Sequence, residues 1–410
     1  MITKEDVSSL NNYKCVSLCE IDLFTKRVRI AKYKHSVEVP NMGTDAGSVI
    51  TVEGRIDPEK IGITLPHEHI LIDNVENSYI PPTSTFELEI AERKFRTEDL
   101  WWIRENPYSH RDNLRMSSTD DAIDELAHFS RSGGSTIVDV TTKDRSDPQR
   151  VRDIARETGL HIIHGTAYYT RTSHPERIKK EDIRSLTDEF VDDIQNGIKD
   201  SDVRAGIVGE IGITGDEHSV GDTKFIHPQE KKVLRAGARA AVKTGAPLSI
   251  HPPSERSEEY PTSRRCLEVL DVIEQEGLAP ERVIFCHRDQ SKWIEADLKY
   301  QRMLADRGAY IEFDLFGHED AYHPSFKDAQ GSDRDRIRWS KMLVDDGYGN
   351  RLLLSHDIYL KMFQRKYGGY GYAHILDSIV PDMRAFGVSE EAIETILVDN
   401  PRRILTFDST

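Results

Sequence analysis

The 410-residue chain carries 55 Lys and Arg against 71 Asp and Glu, a formal charge of −16, with 37% hydrophobic and 31% charged residues. That balance fits an ordinary soluble protein and excludes a general binder of nucleic acid or anionic membranes, which needs clustered cations to neutralise phosphate. No apolar run is long enough to span a bilayer, so a small-molecule partner is expected, with no nucleic acid and no membrane. The four cysteines, Cys15, Cys19, Cys266 and Cys286, are too few and too scattered for a disulfide framework, which points to a reducing cytoplasm. The start, Met1 to Asp6, has no apolar h-region behind a basic n-region, so no secretory signal is expected.

Residues 1–48 read as an appendage, in which Cys19 to Val39 alternates apolar and charged residues and fits a hairpin. The segment Gly47 to Asp57 fits a second hairpin, plugging the base of a barrel domain that occupies residues 49–410. From Gly62 a regular pattern sets in: a short apolar run, a loop, then an amphipathic stretch. The runs are Ile63 to Ile72, Thr136 to Thr142, His161 to Tyr169, Ala205 to Ile213, Pro247 to Pro253, Arg282 to Asp289, Ala309 to Gly317 and Arg351 to Ile358. Helical periodicity marks Asp120 to Ser132, Lys180 to Lys199, Gln229 to Lys243, Arg264 to Glu276, Lys292 to Arg307 and Arg334 to Asp346. Eightfold strand–helix alternation predicts a (β/α)8 TIM barrel with a short N-terminal β extension. An open doubly wound sheet is the alternative, but no G-x-G-x-x-G follows the first run.

The long segment Asn74 to Ser118 contains Pro81-Pro82 and Trp101-Trp102 and reads as a helix plus a loop on the substrate side. Late in the chain, Gln364 to His374 mixes glycine with tyrosine, which suits either a mobile lid or a rigid turn cluster.

In a barrel, chemistry gathers at the C-terminal strand ends. Five of the eight runs end in metal-type residues: His67-Glu68-His69, Val208-Gly209-Glu210-Ile211, Ile250-His251-Pro252, Cys286-His287-Arg288-Asp289 and Ser355-His356-Asp357. On a strand, His67 and His69 face the same way and Glu68 the other. Buried carboxylates such as Glu210 and Asp357 need a partner, and metal ions supply it. Four His and two carboxylates exceed the usual three-ligand zinc site and match two metals sharing a bridging carboxylate.

These stretches, with Thr64-Leu65-Pro66 before His67 and the terminal Val398-Asp399-Asn400-Pro401-Arg402-Arg403, resemble the phosphotriesterase family of the amidohydrolase superfamily, in its phosphotriesterase-related branch with Glu at the metal bridge. The resemblance spans roughly Gly47 to Phe407. It implies that His67, His69 and Asp357 ligate a buried metal, His251 and His287 a more exposed one, and that Glu210 bridges both where many relatives carry a carboxylated Lys. It further implies two divalent ions, zinc first with Mn2+, Co2+ or Fe2+ as alternatives, and a homodimer.

The mechanism that follows is hydrolysis by a metal-bridging hydroxide, with Asp357 as catalytic base. A lactone or carboxyl ester is the expected substrate, an acyl amide or phosphoester the alternative on the same site, and a mononuclear deaminase-type amidohydrolase the alternative chemistry. Tyr169 resembles the aromatic that faces the metals in family lactonases. Arg288 and Lys361 are candidates to bind an anionic substrate group. The family's proton relay, an acid beyond the sixth-strand His and a His beyond the seventh strand, finds only Asp289 or Gln290, and Leu315 or His318.

Overall fold

The computed structural model describes residues 45–409 apart from 215–225, 254–257, 259–260, 292 and 320–330. These residues belong to the unit Thr44–Thr410. The hairpin expected over Cys19 to Val39, and with it Cys15 and Cys19, lies outside them.

A hairpin opens the unit, β1 (Val49–Thr51) pairing antiparallel with β2 (Gly54–Ile56). The barrel strand β3 (Thr64–Glu68) follows. A small ribbon, β4 (Ile72–Asp73) with β5 (Arg115–Met116), then ties the two ends of the long first loop. The remaining barrel strands are β6 (Thr136–Asp139), β7 (His161–Thr166), β8 (Ile207–Gly212), β9 (Leu248–His251), β10 (Val283–Phe285), β11 (Tyr310–Phe313) and β12 (Leu352–Leu354). Eight parallel strands lie in the order β12-β11-β10-β9-β8-β7-β6-β3, each of the eight apolar runs supplying one, and helices surround them. The fold is a TIM barrel.

The amphipathic stretches form the helices Thr119–Arg131, Ile183–Gln195, Pro228–Thr244, Thr262–Gln275, Ile294–Asp306 and Asp333–Asp345. Their starts follow side-chain chemistry. Ser118, Asp182 and Ser332 each accept from a backbone N–H three residues on, satisfying one of the orphan donors of the first turn. Apolar residues divide into two sets. One fills the layer between strands and helices. The other lines the barrel interior with Val138, Val140, Ile163, Ile207, Ile284, Tyr310 and Leu353, and takes in Val49 of the hairpin. Val52 also donates to Ile162 O at 2.8 Å, so the hairpin closes the barrel floor.

At the seam between β3 and β12 the contacts are particular rather than a ladder. His67 N donates to Ser355 Oγ (3.1 Å), and Asp357 N to His67 O (3.2 Å). Glu68, turned from the mouth as the pleat requires, is fully buried in the seam. Its carboxylate accepts from His356 N (2.9 Å), Ile358 N (2.9 Å) and Ser355 Oγ (2.8 Å), with His356 Nδ1 at 2.8 Å.

The segment 364–374 is a pinned turn cluster. Glu125 accepts from Arg365 N and Lys366 N, Tyr367 OH donates to Asp121, and Tyr372 OH donates to His69 O. Of the paired tryptophans, Trp102 is core and Trp101 lies exposed on the helix Leu100–Glu105. Among the described residues, no helix is long and apolar enough to cross a membrane.

Candidate metal centre

Six side chains of ligand type converge at the C-terminal mouth of the barrel. The ladder register shifts between Leu65 and Glu68 on β3 and between Val208 and Ile211 on β8, so each irregularity falls at a ligand-type residue, His67 or Glu210. Such irregularities re-aim a side chain that strict alternation would place elsewhere. Beside Glu210, a Cβ on Gly209 would come within 2.7 Å of Ser249 Cβ, so only glycine fits the close approach of β8 to β9. His287 and Asp357 both adopt left-handed backbone, φ 56° and 52°, a few residues past the ends of β10 and β12. For residues with a Cβ this costs on the order of 1–3 kcal/mol each, and it bends the chain sharply where the side chain must face the mouth.

The resulting distances form two overlapping groups. His69 Nε2 and His67 Nε2 lie 3.2 and 3.6 Å from Asp357 Oδ1. His251 Nδ1 and His287 Nε2 lie 3.3 and 3.9 Å from Glu210 Oε2 and 2.9 Å from each other. Glu210 also reaches the first group, Oε2 standing 3.9 Å from His67 Nε2 and Oε1 3.9 Å from His69 Nε2. A carboxylate between two histidine clusters is the arrangement of a bridge.

The outer nitrogens are held as metal-ligating histidines require. His69 Nδ1 lies 2.9 Å from Thr141 Oγ1, and His287 Nδ1 2.8 Å from Asp314 Oδ1. His67 Nδ1 stands 3.3 Å from both Glu312 Oε2 and Asp314 Oδ2. Burial would raise the Glu210 carboxyl, but His251, His67 and His287 beside it pull it down to about 2. Burial pushes His251 and His287 below the usual histidine value, towards the neutral imidazole whose nitrogen can donate a lone pair.

Two atoms decide whether the site fits a cation. His67 Nε2 is buried with no hydrogen-bond partner, and Asp357 Oδ1 is buried between the nitrogens of His69 and His67, at 3.2 and 3.6 Å. The ligand-type atoms of His67, His69 and Asp357 lie within 4.8 Å of one another, and so do those of Glu210, His251 and His287. Imidazole nitrogens and carboxylate oxygens at this spacing are a donor set that divalent cations fit in both groups.

The site opens on a cavity of about 670 Å3 whose wall includes His69, Glu210, His251, His287 and Asp357. The sequence profile of the phosphotriesterase family matches residues 47–405. The chain belongs to this family. The N-acetyltaurine hydrolase of Danio rerio is 36% identical, covering 88% of this chain and 98% of that relative. A resiniferatoxin-binding protein from Rhodobacter sphaeroides has a similar structure, with a TM-score of 0.79 at 34% identity over 88% of this chain and 95% of its own. The phosphotriesterase homology protein from Escherichia coli, solved with phosphate in its active site, gives a TM-score of 0.66 at 28% identity, covering 85% of this chain and all of that one.

Of the three residues expected to contact substrate, Tyr169 lies in the cavity wall with its hydroxyl 3.2 Å from His251 Nδ1. Arg288 is not brought to the cavity. Alternation after β10 turns it away from His287, and its guanidinium is buried, donating to Cys286 O, His287 O and Ser263 Oγ. Lys361 is likewise committed elsewhere. Its Nζ donates to Asp112 Oδ2 at 2.9 Å, a buried pair that leaves no cation for substrate.

Asp289 cannot start the family's relay, because Arg336 and the N–H groups of Asp314 and Leu315 occupy its carboxylate. His318 does line the cavity, stacked on Phe363 at 3.9 Å, and burial lowers it to about 4. Sequence reasoning missed Arg145, Thr142 and Asn74, which also line the cavity. Their one signal is position, just beyond the ends of β6 and β4.

Proposed function

We propose that the chain is a metal-dependent hydrolase of small acyl compounds, holding two divalent cations among His67, His69, Glu210, His251, His287 and Asp357 and cleaving an acyl amide. The observation that carries this reading is the convergence of six ligand-type side chains around His67 Nε2, which is buried and has no hydrogen-bond partner. Two cations here would supply a hydroxide-strength nucleophile at neutral pH and an electrophilic contact for the substrate carbonyl, with zinc the first candidate. Asp357 accepts the proton that water releases on attack and returns it to the leaving nitrogen, which is too basic to depart without one. Tyr169 OH, beside His251, orients the carbonyl oxygen.

An amine leaving group is preferred because relatives that span the same barrel, such as that of Danio rerio, are N-acetyltaurine hydrolases. A lactone or carboxyl ester, the substrate expected from the sequence, uses the same groups and forms the comparison arm of the test. Elemental analysis should find about two metals per chain, falling towards one in Glu210→Gln. Asp357→Asn should lower kcat by about 10²–10⁴-fold on whichever amide or ester is turned over best. One tightly bound metal, indifferent to Glu210→Gln, would point instead to the mononuclear deaminase-type chemistry. Full turnover by Asp357→Asn would sink the mechanism. The homodimer implied by family resemblance belongs to the same reading and is tested by light scattering.

A further inference from the structure

Arg145 and Thr142, in the loop after β6, line the cavity that also holds His251, His287 and Tyr169. Arg145 is the one Lys or Arg among the described lining residues. Its Nη1 donates to Asn74 Oδ1 at 3.0 Å, and its guanidinium carbon lies 5.3 Å from the centre of the Tyr169 ring. Its Nε and Nη2 are buried and have no hydrogen-bond partner. Asp144 Oδ2 stands 3.8 Å from Nε, beyond hydrogen-bond distance. Thr142 Oγ1, three residues earlier on the same loop, is also buried without a partner.

Leaving a buried donor unmade costs about 1–3 kcal/mol, and more when the group is charged. A guanidinium has five donors and no acceptor, so the partner it lacks must be rich in acceptors and carry negative charge. The acids in the cavity wall, Glu210 and Asp357, are both engaged with the histidines. Asp144 offsets charge at ion-pair distance but takes none of these hydrogen bonds, which leaves the acceptor to come from the ligand.

We propose that Arg145, with Thr142, forms an anion subsite and that the substrate is a short acyl compound ending in a carboxylate or sulfonate. The identity of the cleaved bond rests on the hydrolase reading above; the anion does not. Tyr169 spans the two functions. Its ring lies against the guanidinium and its hydroxyl reaches 3.2 Å from His251 Nδ1. The anion and the scissile bond are therefore separated by about the length of one aromatic ring, which a short aliphatic linker covers. Arg145 acts on specificity here, through substrate binding, and takes no part in proton transfer.

The test pairs matched anionic and neutral probes in the metal-loaded full chain. N-acetyl-β-alanine and N-acetyltaurine supply the carboxylate and the sulfonate, and N-acetylethanolamine is the neutral counterpart. In Arg145→Gln the ratio of kcat/KM for anionic over neutral substrate should fall at least about ten-fold, chiefly through KM, and Arg145→Lys should recover part of it. Calorimetry with the uncleavable ketones 5-oxohexanoate and 5-hydroxypentan-2-one reads the same preference without turnover.

A wild-type protein with no preference for the anionic ketone overturns the subsite, as does a preference that survives in Arg145→Gln of native circular dichroism. If no amide or ester is cleaved yet the ketone preference depends on Arg145, the hydrolase reading fails and the subsite stands.

Discussion

Asp112 shows how a cation that looks available in the sequence is spent on structure. Burial alone would raise its carboxyl, but Phe95 N–H, Lys361 and Lys94 hold it down at about 2. A carboxyl whose folded value lies below its ordinary 3.8 contributes stability above that value and loses it as the pH falls towards 2. Lys361→Met, which removes one of these three partners, should therefore cost about 1–3 kcal/mol at pH 7 in denaturant titration. The cost should shrink in titrations below about pH 3.8, and KM should stay at the wild-type value. A KM effect without a stability effect would return Lys361 to the substrate.

The same residues explain what the sequence made legible. His67, His69, Glu210, His251, His287 and Asp357 announce themselves because a ligand-type residue in an apolar strand is costly without a reason. Arg145 and Thr142 do not, because their signature is an unmade hydrogen bond, which exists only after folding. Arg288 misled for the opposite reason: adjacency to His287 in sequence is separation across a pleat.

At the scale of elements, each barrel strand is shorter than the apolar run that supplies it. β10 covers only Val283–Phe285 and β12 only Leu352–Leu354. The runs continue because the residues after each ladder stay buried as they turn over the mouth, which is where His287 and Asp357 sit. Runs and their order were readable from hydrophobic patterning, whereas the ladder ends depend on the left-handed turns.

Glu68 fixes one such turn by accepting from Ser355, His356 and Ile358 on both sides of Asp357. Glu68→Leu leaves those buried donors unmade, and a loss of about 3–5 kcal/mol is expected in chemical denaturation, together with fewer metals per chain because Asp357 is released. Unchanged metal content in a destabilised protein would show that Glu68 braces the seam alone.

For the whole molecule, a metal-loaded barrel and a stripped one should differ in thermal stability. Ligand-type residues from β3, β8, β9, β10 and the end of β12 meet at one point, so an ion that binds only the folded state stabilises it by mass action. A thousand-fold excess over Kd is worth about 4 kcal/mol per site. Calorimetric Tm should fall on dialysis against a chelator and return with zinc or manganese. Equal Tm values for chelated and reloaded protein would mean that no cation is held there.

The seam between β3 and β12 carries a consequence for how the protein is made. The first barrel strand brings His67 and His69, and the last barrel strand leads into Asp357, joined by hydrogen bonds from His67 N to Ser355 Oγ and from Asp357 N to His67 O. A chain still on the ribosome and lacking its final strand owns neither a closed ring nor a complete buried ligand set. Cation binding at the proposed site would thus be timed to the end of synthesis, because a nascent or truncated chain presents its histidines without the carboxylate that would hold an ion.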